Sequence, residues 1–548
     1  VLRPRGPSRA ALVAGFAGAL VLAGLLAAPQ LLPALELSRQ SHRAGPPTTQ
    51  GYAAYTAYAV SPRSLATLFV PDFFGNPSRP TAPYFGASRA GAYFNYAEGA
   101  LYVGLPTLLL AACALLRRRQ KGRLLGLFGI LALLALLMAL GTAVNALFYF
   151  GIPGFGQSGS PGRALVLWAF AVACLAGLGM DKLLRDQATP VRTAAAAIGG
   201  VLLLAGGALA LGWPAVREAG VLPDLWRPEL PRQAGLFALG AIALAALASG
   251  RLRTGWMAWI PVLLVTADLF AAGINFNPTS RTDEVYPETP LIAALGARAG
   301  HDRIMPVNRS WSFAGPAAVL PPNNAMVFGL RDVQGYDSLF PGQYKAFMNR
   351  LAGEGRDSSP PEVGNMVFAT EPSSPLALEA GVRIILSLEP LGLPGARESR
   401  IGSVWVAELV HAPGRARVEP EDGSRGAVAF LRDEATRVDL QVHAPAPASL
   451  VLADQIYPGW RAWVDGRPAH IERTGGVFRR VRVPAGVHRV AFRFQPASFR
   501  TGLYLGLLAL LVLGGCLVGP AHRSGNRRPG QGIHQRRQSS LARPREAS

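Results

Sequence analysis

Glu36, Asp72 and Glu98 lie in one polar stretch, residues 35–98, with Arg39, Arg43, Arg63 and Arg89 and with Tyr52, Tyr55, Tyr58, Tyr84 and Tyr93. Those residue types suit a group transfer. A carboxylate can take the proton of an attacking hydroxyl. Guanidinium groups can hold a departing phosphate through paired hydrogen bonds, and tyrosine rings offer flat faces on which a sugar can stack. The same residues suit a plainer role, as solvated loop charges and as aromatic anchors at headgroup depth. Glu36, Asp72 and Glu98 are therefore candidate bases, with both roles open.

Arg163 follows the stretch NALFYFGIPGFGQSGSPGR, which is half apolar and broken by glycine and proline, as a re-entrant or interfacial segment would be. An arginine at a helix start near a bilayer face either grips a lipid phosphate with its fork or snorkels among headgroups. Asp268 sits inside an apolar run, where a carboxylate is costly, and serves either function or a hydrogen bond between helices. Asp332, Tyr336 and Asp337, with Asn323 and Asn324, form a polar loop cluster that could face a cavity at the membrane. With Arg43 these complete the candidate binding residues. Tyr457, Trp460 and Trp463 read as core packing, with a carbohydrate platform as the alternative.

Cys113, Cys174 and Cys516 all fall in apolar runs, so the polar regions have no thiol for a disulfide or a thiolate metal site. The eight histidines show no metal-ligand spacing. Neither a protein-held metal nor a resident cofactor is expected.

What must position these residues is a set of membrane helices. Half of the 548 residues are apolar and 16% are charged, against about 25% in soluble proteins, and mean hydropathy is +0.25. The apolar residues gather into runs near the roughly 20 that a helix needs to cross the hydrocarbon core. Eight runs are read as spans: 10–28, 99–116, 124–141, 164–180, 194–213, 234–249, 256–273 and 501–519. The first is longer than the apolar core of a secretory signal and leads into Pro29 and Pro33 without a cleavage site.

Basic residues alternate between the loops. Arg3, Arg5 and Arg9, the run 117–123, Lys182, Arg185 and Arg192, Arg251 and Arg253, and the arginines beyond 519 all fall on one side of an eight-span chain. Positive charge is retained in the cytoplasm, so both termini are predicted inside, and residues 274–500 outside, a bacterial inner membrane. The net charge of +21 then follows from topology and implies no nucleic acid. The tail 520–548 reads as basic and disordered, with anionic membrane lipids as its neighbours.

The outer region divides at about 404. Residues 274–403 read as mixed helices and loops. In 404–500, Val438, Leu440 and Val442 alternate with Arg437, Asp439 and Gln441, as do Val490, Phe492 and Phe494 with their neighbours. Asp465-Gly466, Gly475-Gly476 and Ala485-Gly486 supply turns. The predicted fold is a polytopic α-helical membrane protein of about eight spans, seven in 1–273 and one at 501–519. An α+β region ending in an antiparallel, jelly-roll-like β-sandwich lies between them.

The run Asp454-Gln455-Ile456-Tyr457-Pro458-Gly459-Trp460-Arg461-Ala462-Trp463-Val464-Asp465-Gly466, continued by Phe478-Arg479 and Val483-Pro484-Ala485-Gly486-Val487-His488, resembles the C-terminal domain of the YfhO family of bacterial membrane proteins. Two earlier blocks resemble that family in order and spacing. One is Pro321-Pro322-Asn323-Asn324 with Gly329-Leu330-Arg331-Asp332 and Gly335-Tyr336-Asp337-Ser338-Leu339. The other is Leu32-Pro33-Ala34-Leu35-Glu36 with Ser41, Arg43, Pro71, Gly75, Glu98 and Tyr102-Val103-Gly104.

That family is similar to the GT-C glycosyltransferases, polytopic enzymes that move a sugar from a polyprenyl-phosphate carrier to an acceptor outside the cytoplasm. The resemblance implies that fold and reaction, a lipid-linked sugar donor and a cell-envelope glycopolymer acceptor. It supplies no catalytic residue. In that fold the activating acid usually lies in the first exported loop, whereas the loop 35–98 matches a later one and the family's N-terminal spans have no counterpart here. The expectation is a partial chain, continued upstream in frame, that does not transfer sugar alone. The alternative is a non-catalytic membrane protein whose sandwich binds or presents envelope polysaccharide. A transporter fits less well, since few charges lie in the spans and no broken helices recur symmetrically.

Overall fold

The computed structural model describes residues 8–79, 83–91, 95–116, 122–185, 191–220, 226–252, 255–274, 276–277, 279–308, 318–353 and 365–524. Arg3, Arg5, Tyr93, Arg253, the basic run 117–121 and the tail beyond 524 lie outside the described residues.

Each of the eight apolar runs contains a helix. Among the described residues, six helices are long and apolar enough to cross a membrane: Arg9–Leu26, Pro161–Arg185, Val191–Ala219, Glu229–Ala248, Gly255–Gly273 and Ala497–Cys516. Arg123–Ala139 and Val144–Gly151, which meet at 83°, make a seventh if taken as one broken span. The bend falls at residues 140–143, where Gly141 takes φ +66°, and the glycine- and proline-rich stretch follows the second helix from Gly151. Large apolar side chains such as Leu203, Leu204 and Phe270 are exposed on these helices while Ala171 and Ala197 are buried between them. That inverts the soluble pattern and suits lipid outside with small residues at the contacts. The architecture is that of a multi-pass helical membrane protein carrying a sheet-rich region.

Two helices differ from the sequence reading. Within the described residues the run 99–116 yields Leu105–Leu116, a helix of 12 residues, about 18 Å long, that starts at Leu105 and not at 99 and reaches the end of its described segment. Gly104, at φ +91°, turns the chain immediately before it, and the Asp268 carboxylate accepts the Leu105 N–H at 2.9 Å. The stretch after 28, expected to become loop by 35, stays helical as Ala28–Gln40. Pro29 sits in its first turn, where no backbone donor is lost. This helix packs along the C-terminal helix Ala497–Ser524 so closely that a Cβ on Gly502 would lie 2.4 Å from the Ala28 carbonyl oxygen.

The first sheet-bearing layer contains β1 (Arg303–Pro306), β2 (Arg331–Asp332), β3 (Gly335–Tyr336), β4 (Met366–Val367), β5 (Val382–Ser387), β6 (Ala396–Ile401) and β7 (Val404–Leu409). Five form a mixed sheet in the order β2-β1-β5-β7-β6, with β1 parallel to both neighbours, and β3 pairs with β4. The boundary placed at 404 therefore moves. β7 alternates like a sandwich strand but closes the mixed sheet against β5 and β6, and alternation alone does not say which sheet a strand joins.

The sandwich begins at β8 (Ala416–Pro420) and runs through β9 (Ala427–Glu434), β10 (Arg437–Ala444), β11 (Ala448–Gln455), β12 (Trp460–Val464), β13 (Arg467–Ala469), β14 (Glu472–Thr474), β15 (Phe478–Val483) and β16 (Gly486–Phe494). Its sheets, β13-β12-β16-β10-β9 and β14-β15-β11-β8, are antiparallel. Val438, Leu440 and Val442 from one meet Leu450, Leu452 and Val481 from the other in a shared core. β16 enters between β10 and β12, and β15 between β11 and β14. The last two strands thus cross from one sheet to the other, each inserted between earlier strands, which makes an antiparallel sandwich in place of the jelly-roll order expected.

Candidate functional site

Ser160 starts the turn Pro161–Ala164 by accepting the Gly162 N–H on its hydroxyl, and that turn delivers Arg163 to the head of the helix Leu165–Arg185. Arg43 reaches the same place from the loop after Gln40. A cavity of about 320 Å³ opens between them, lined by Arg43, Tyr55, Gln157, Ser158, Ser160 and Arg163, with Ser338 and Asn365 closing the side toward the sheets.

Arg43 is held by polar partners that leave it charged. Its Nη1 donates to the Gln157 carbonyl at 3.2 Å, its Nε faces His42 Nε2 at 3.3 Å, and its Nη2 donates to Asn365 Oδ1. Burial, then the neighbouring positive charge of Arg163, pull its pKa down. Arg163 sends both Nε and Nη2 to Glu98 Oε1, each at 3.0 Å, and remains 60% exposed. Burial pushes the Tyr55 phenol up to about 12, and its hydroxyl donates to Asn145 Oδ1 at 3.3 Å. Two guanidinium groups among polar donors line the pocket, with the Glu98 carboxylate reaching Arg163 from outside that lining, which leaves a net cationic pocket suited to a phosphate.

The other candidates lie elsewhere. Asp72 is buried beside a second cluster, taking hydrogen bonds from Asn76 Nδ2 at 3.0 Å and the Tyr96 hydroxyl at 2.7 Å and facing Arg79 at 3.1 Å. Arg79 also pairs with Glu229 at 2.8 Å, and Glu229 with Arg232 at 2.7 Å, so this cluster ties the loop to the helix Trp226–Ala248. Glu36 bonds the Tyr457 hydroxyl and joins the helix Ala28–Gln40 to the sandwich. Asp268 accepts from the Tyr102 hydroxyl and the Leu105 N–H, the bond between elements that was its plainer alternative.

Asp332 turns into the protein. Its Oδ1 accepts the Gln334 N–H at 2.9 Å, its Oδ2 has no hydrogen-bond partner among the described residues, and burial pushes the carboxyl up to about 7. Asn323 brackets the Tyr336 backbone at 2.6 and 3.1 Å, while the Asp337 N–H donates to the Asn365 carbonyl at 2.7 Å. This loop reaches the cavity through Ser338 and Asn365, not through its carboxylates. Sequence reasoning missed Gln157, Ser158 and Asn365. Asn365 is 322 positions from Arg43, and no local pattern signals such a pairing. No protein-family model, curated protein or solved structure matches the chain.

Proposed function

We propose that this chain is a YfhO-type, GT-C-like membrane glycosyltransferase component. It handles a sugar carried on a polyprenyl phosphate at the extracytoplasmic face of a bacterial inner membrane, for transfer to a cell-envelope glycopolymer. The observation that carries this reading is the meeting of Arg43 and Arg163 in one cavity, with Glu98 3.0 Å from Arg163. In that reading the acceptor hydroxyl oxygen attacks the anomeric carbon and its proton passes to Glu98. The bond from that carbon to the carrier phosphate breaks, its electron pair leaves on the phosphate oxygen, and the two arginines hold the charge. Of the three candidate bases, Glu98 is favoured because Asp72 is bound three ways in another cluster and Glu36 is spent on Tyr457.

Sugar incorporation into envelope glycan by cells expressing the variants in a protein extended upstream in frame tests this. Arg163→Lys keeps the charge and loses the fork, and should cut incorporation by about tenfold or more, with Glu98→Gln costing about 10². Full incorporation by both Arg163→Lys and Arg163→Ala would reduce Arg163 to a headgroup anchor. The sidedness is read by cysteines placed at Ser424 and Ser524. Labelling of the first and protection of the second in intact cells is expected, and the reverse pattern inverts the topology.

The second reading, a non-catalytic protein whose sandwich binds polysaccharide, draws on a groove of about 790 Å³ along β12, where Tyr457, Trp460 and Trp463 form part of the wall.

A further inference from the structure

Where the mixed sheet meets the sandwich, four arginines converge on two aspartates. Asp454, at the end of β11, faces Arg303 at 2.9 Å, Arg415 at 2.7 Å and Arg479 at 3.0 Å. Asp433, at the end of β9, faces Arg415 at 2.7 Å, Arg331 and the His301 ring at 2.9 Å. Arg303 and Arg415 are saturated. The first also donates to the carbonyls of Ala380 and Ala453 at 2.7 and 2.6 Å, and the second grips both carboxylates with both ends of its fork.

Arg479 is not. It is 2% exposed, yet its Nη1 finds no acceptor among the described residues. Its guanidinium carbon sits 3.9 Å from the ring centre of Trp460, a stacking that holds the fork in place without satisfying it. Burial and the nearby positive charges pull its pKa down to about 10, so it stays cationic at neutral pH. A buried donor left without a partner is expensive, and so is buried charge in excess. Burial raises the carboxyl of Asp332, which lies near Arg303, and so weakens its offset of that charge. Glu434 at the rim lies 3.6 Å from its own partner, Arg432.

These groups surround a real opening. A cavity of about 360 Å³ is lined by Arg331, Arg415, Asp454, Tyr457, Trp460 and Arg479. Tyr457 and Trp460 also line the larger groove of about 790 Å³ on β12. Aromatic wall and cationic floor are therefore continuous.

We propose that this cleft binds an anionic saccharide, with its phosphate or carboxylate on Arg479 and Arg331 and its ring against Tyr457 and Trp460. The proposal deepens the glycan-binding reading and is independent of sugar transfer at Arg43 and Arg163. The acidic group supplies the acceptor that Arg479 lacks and neutralises the excess charge. The ring replaces water on the aromatic wall.

Calorimetry on the full-length protein in detergent tests it, with three probes: an oligogalacturonate, a glycerol-phosphate oligomer and a neutral cello-oligosaccharide. Binding of either anionic probe, weakened about tenfold by Arg479→Lys and by the more exposed Arg331→Gln and lowered by added salt, is the expected result. Which anionic probe binds tells carboxylate from phosphate. Circular dichroism and melting of each variant separate lost binding from lost folding, and Arg331→Gln keeps the test open should Arg479→Lys not fold. Binding of the neutral probe alone overturns the anionic assignment while sparing the glycan-binding reading. Binding by none of the three overturns both, and anionic binding unchanged in the folded variants removes the site from this cleft.

Discussion

In the helical region Arg163 is 60% exposed and pairs with Glu98, itself partly exposed, whereas in the sheet region Arg415 is 3% exposed and pairs with both Asp433 and Asp454. The chemistry is the same in both places and the cost of breaking it is not. An exposed ion pair is worth up to about 1 kcal/mol, and losing one partner of a buried pair costs about 3–5 kcal/mol because the other is stranded. The helical cavity can lend its arginine to a ligand. The sheet junction cannot spare Arg415, and only Arg479 and Arg331 have capacity left over.

The widest gap should appear at Asp454. Asp454→Ala removes the one carboxylate that three guanidinium groups share, leaves Arg479 without a carboxylate, and is expected to cost about 3–5 kcal/mol in denaturant unfolding of the detergent-solubilised protein. A loss below about 1 kcal/mol would erase the contrast between the regions. Burial alone would raise this carboxyl, but Arg415, Arg303 and Arg479 outweigh it and hold it far below the usual carboxylate range. Its stabilisation is therefore complete above the unfolded value near pH ~3.9 and is lost only in stronger acid.

Helix packing comes next. Gly502→Val drives a side chain into the Ala28 carbonyl, which a Cβ alone would meet at 2.4 Å, and should cost about 1–3 kcal/mol. A cysteine pair bridging the two helices, readily oxidised in the parent and poorly in the variant, would register the separation. Asp268→Ala leaves the Leu105 N–H and the Tyr102 hydroxyl without their acceptor and is expected to cost about 1–2 kcal/mol. Thermal melting in one detergent measures it, and Asp268→Asn, which keeps an acceptor, should recover part of the loss.

Glu98→Gln should sharpen the comparison by doing little to stability, under about 1 kcal/mol, while abolishing most sugar incorporation. Smallest of all is the exposed pair of His488 and Asp465, 2.6 Å apart. Its hydrogen bond to Asp465 raises the His488 pKa, so the contribution is complete below about pH 6.5 and fades as pH rises through the raised value. Proton NMR of the imidazole should show that upward shift, and Asp465→Asn should remove it.

Much of the helical half was legible because lipid imposes a simple rule on composition: runs of leucine, alanine and valine had to be helices. What composition could not show was where a helix stops. Gly104 and Asp268, 164 positions apart, shorten one run, and the two-proline stretch after Ala28 continues another. In the sheet region, β10 and β16 were readable by alternation. β1 to β4 were not, since strands of two to four residues are too short to show a period. Arg43, Arg163 and Glu98 were all among the residues singled out by type, yet nothing in their spacing set them apart from Asp72, Glu36 or Asp268. That choice depends on which loops fold back on one another. The Arg479 junction escaped altogether, because its members come from five strands and the loop before β8, and each arginine looks like a surface charge in its own stretch.

The contact of Gly502 with Ala28 has a mechanical side. β16 ends at Phe494 and the C-terminal helix begins at Ala497, so only Gln495 and Pro496 separate strand from helix. The Gln495 N–H is fastened to the Gly459 carbonyl at 2.7 Å, which stiffens that joint. Strand and helix then act as a lever with its fulcrum where Gly502 rests on Ala28. β16, flanked by β10 and β12, is thereby joined to the helix without slack, and Glu36 ties Tyr457, a wall residue of the cleft floored by Arg479, to the same corner.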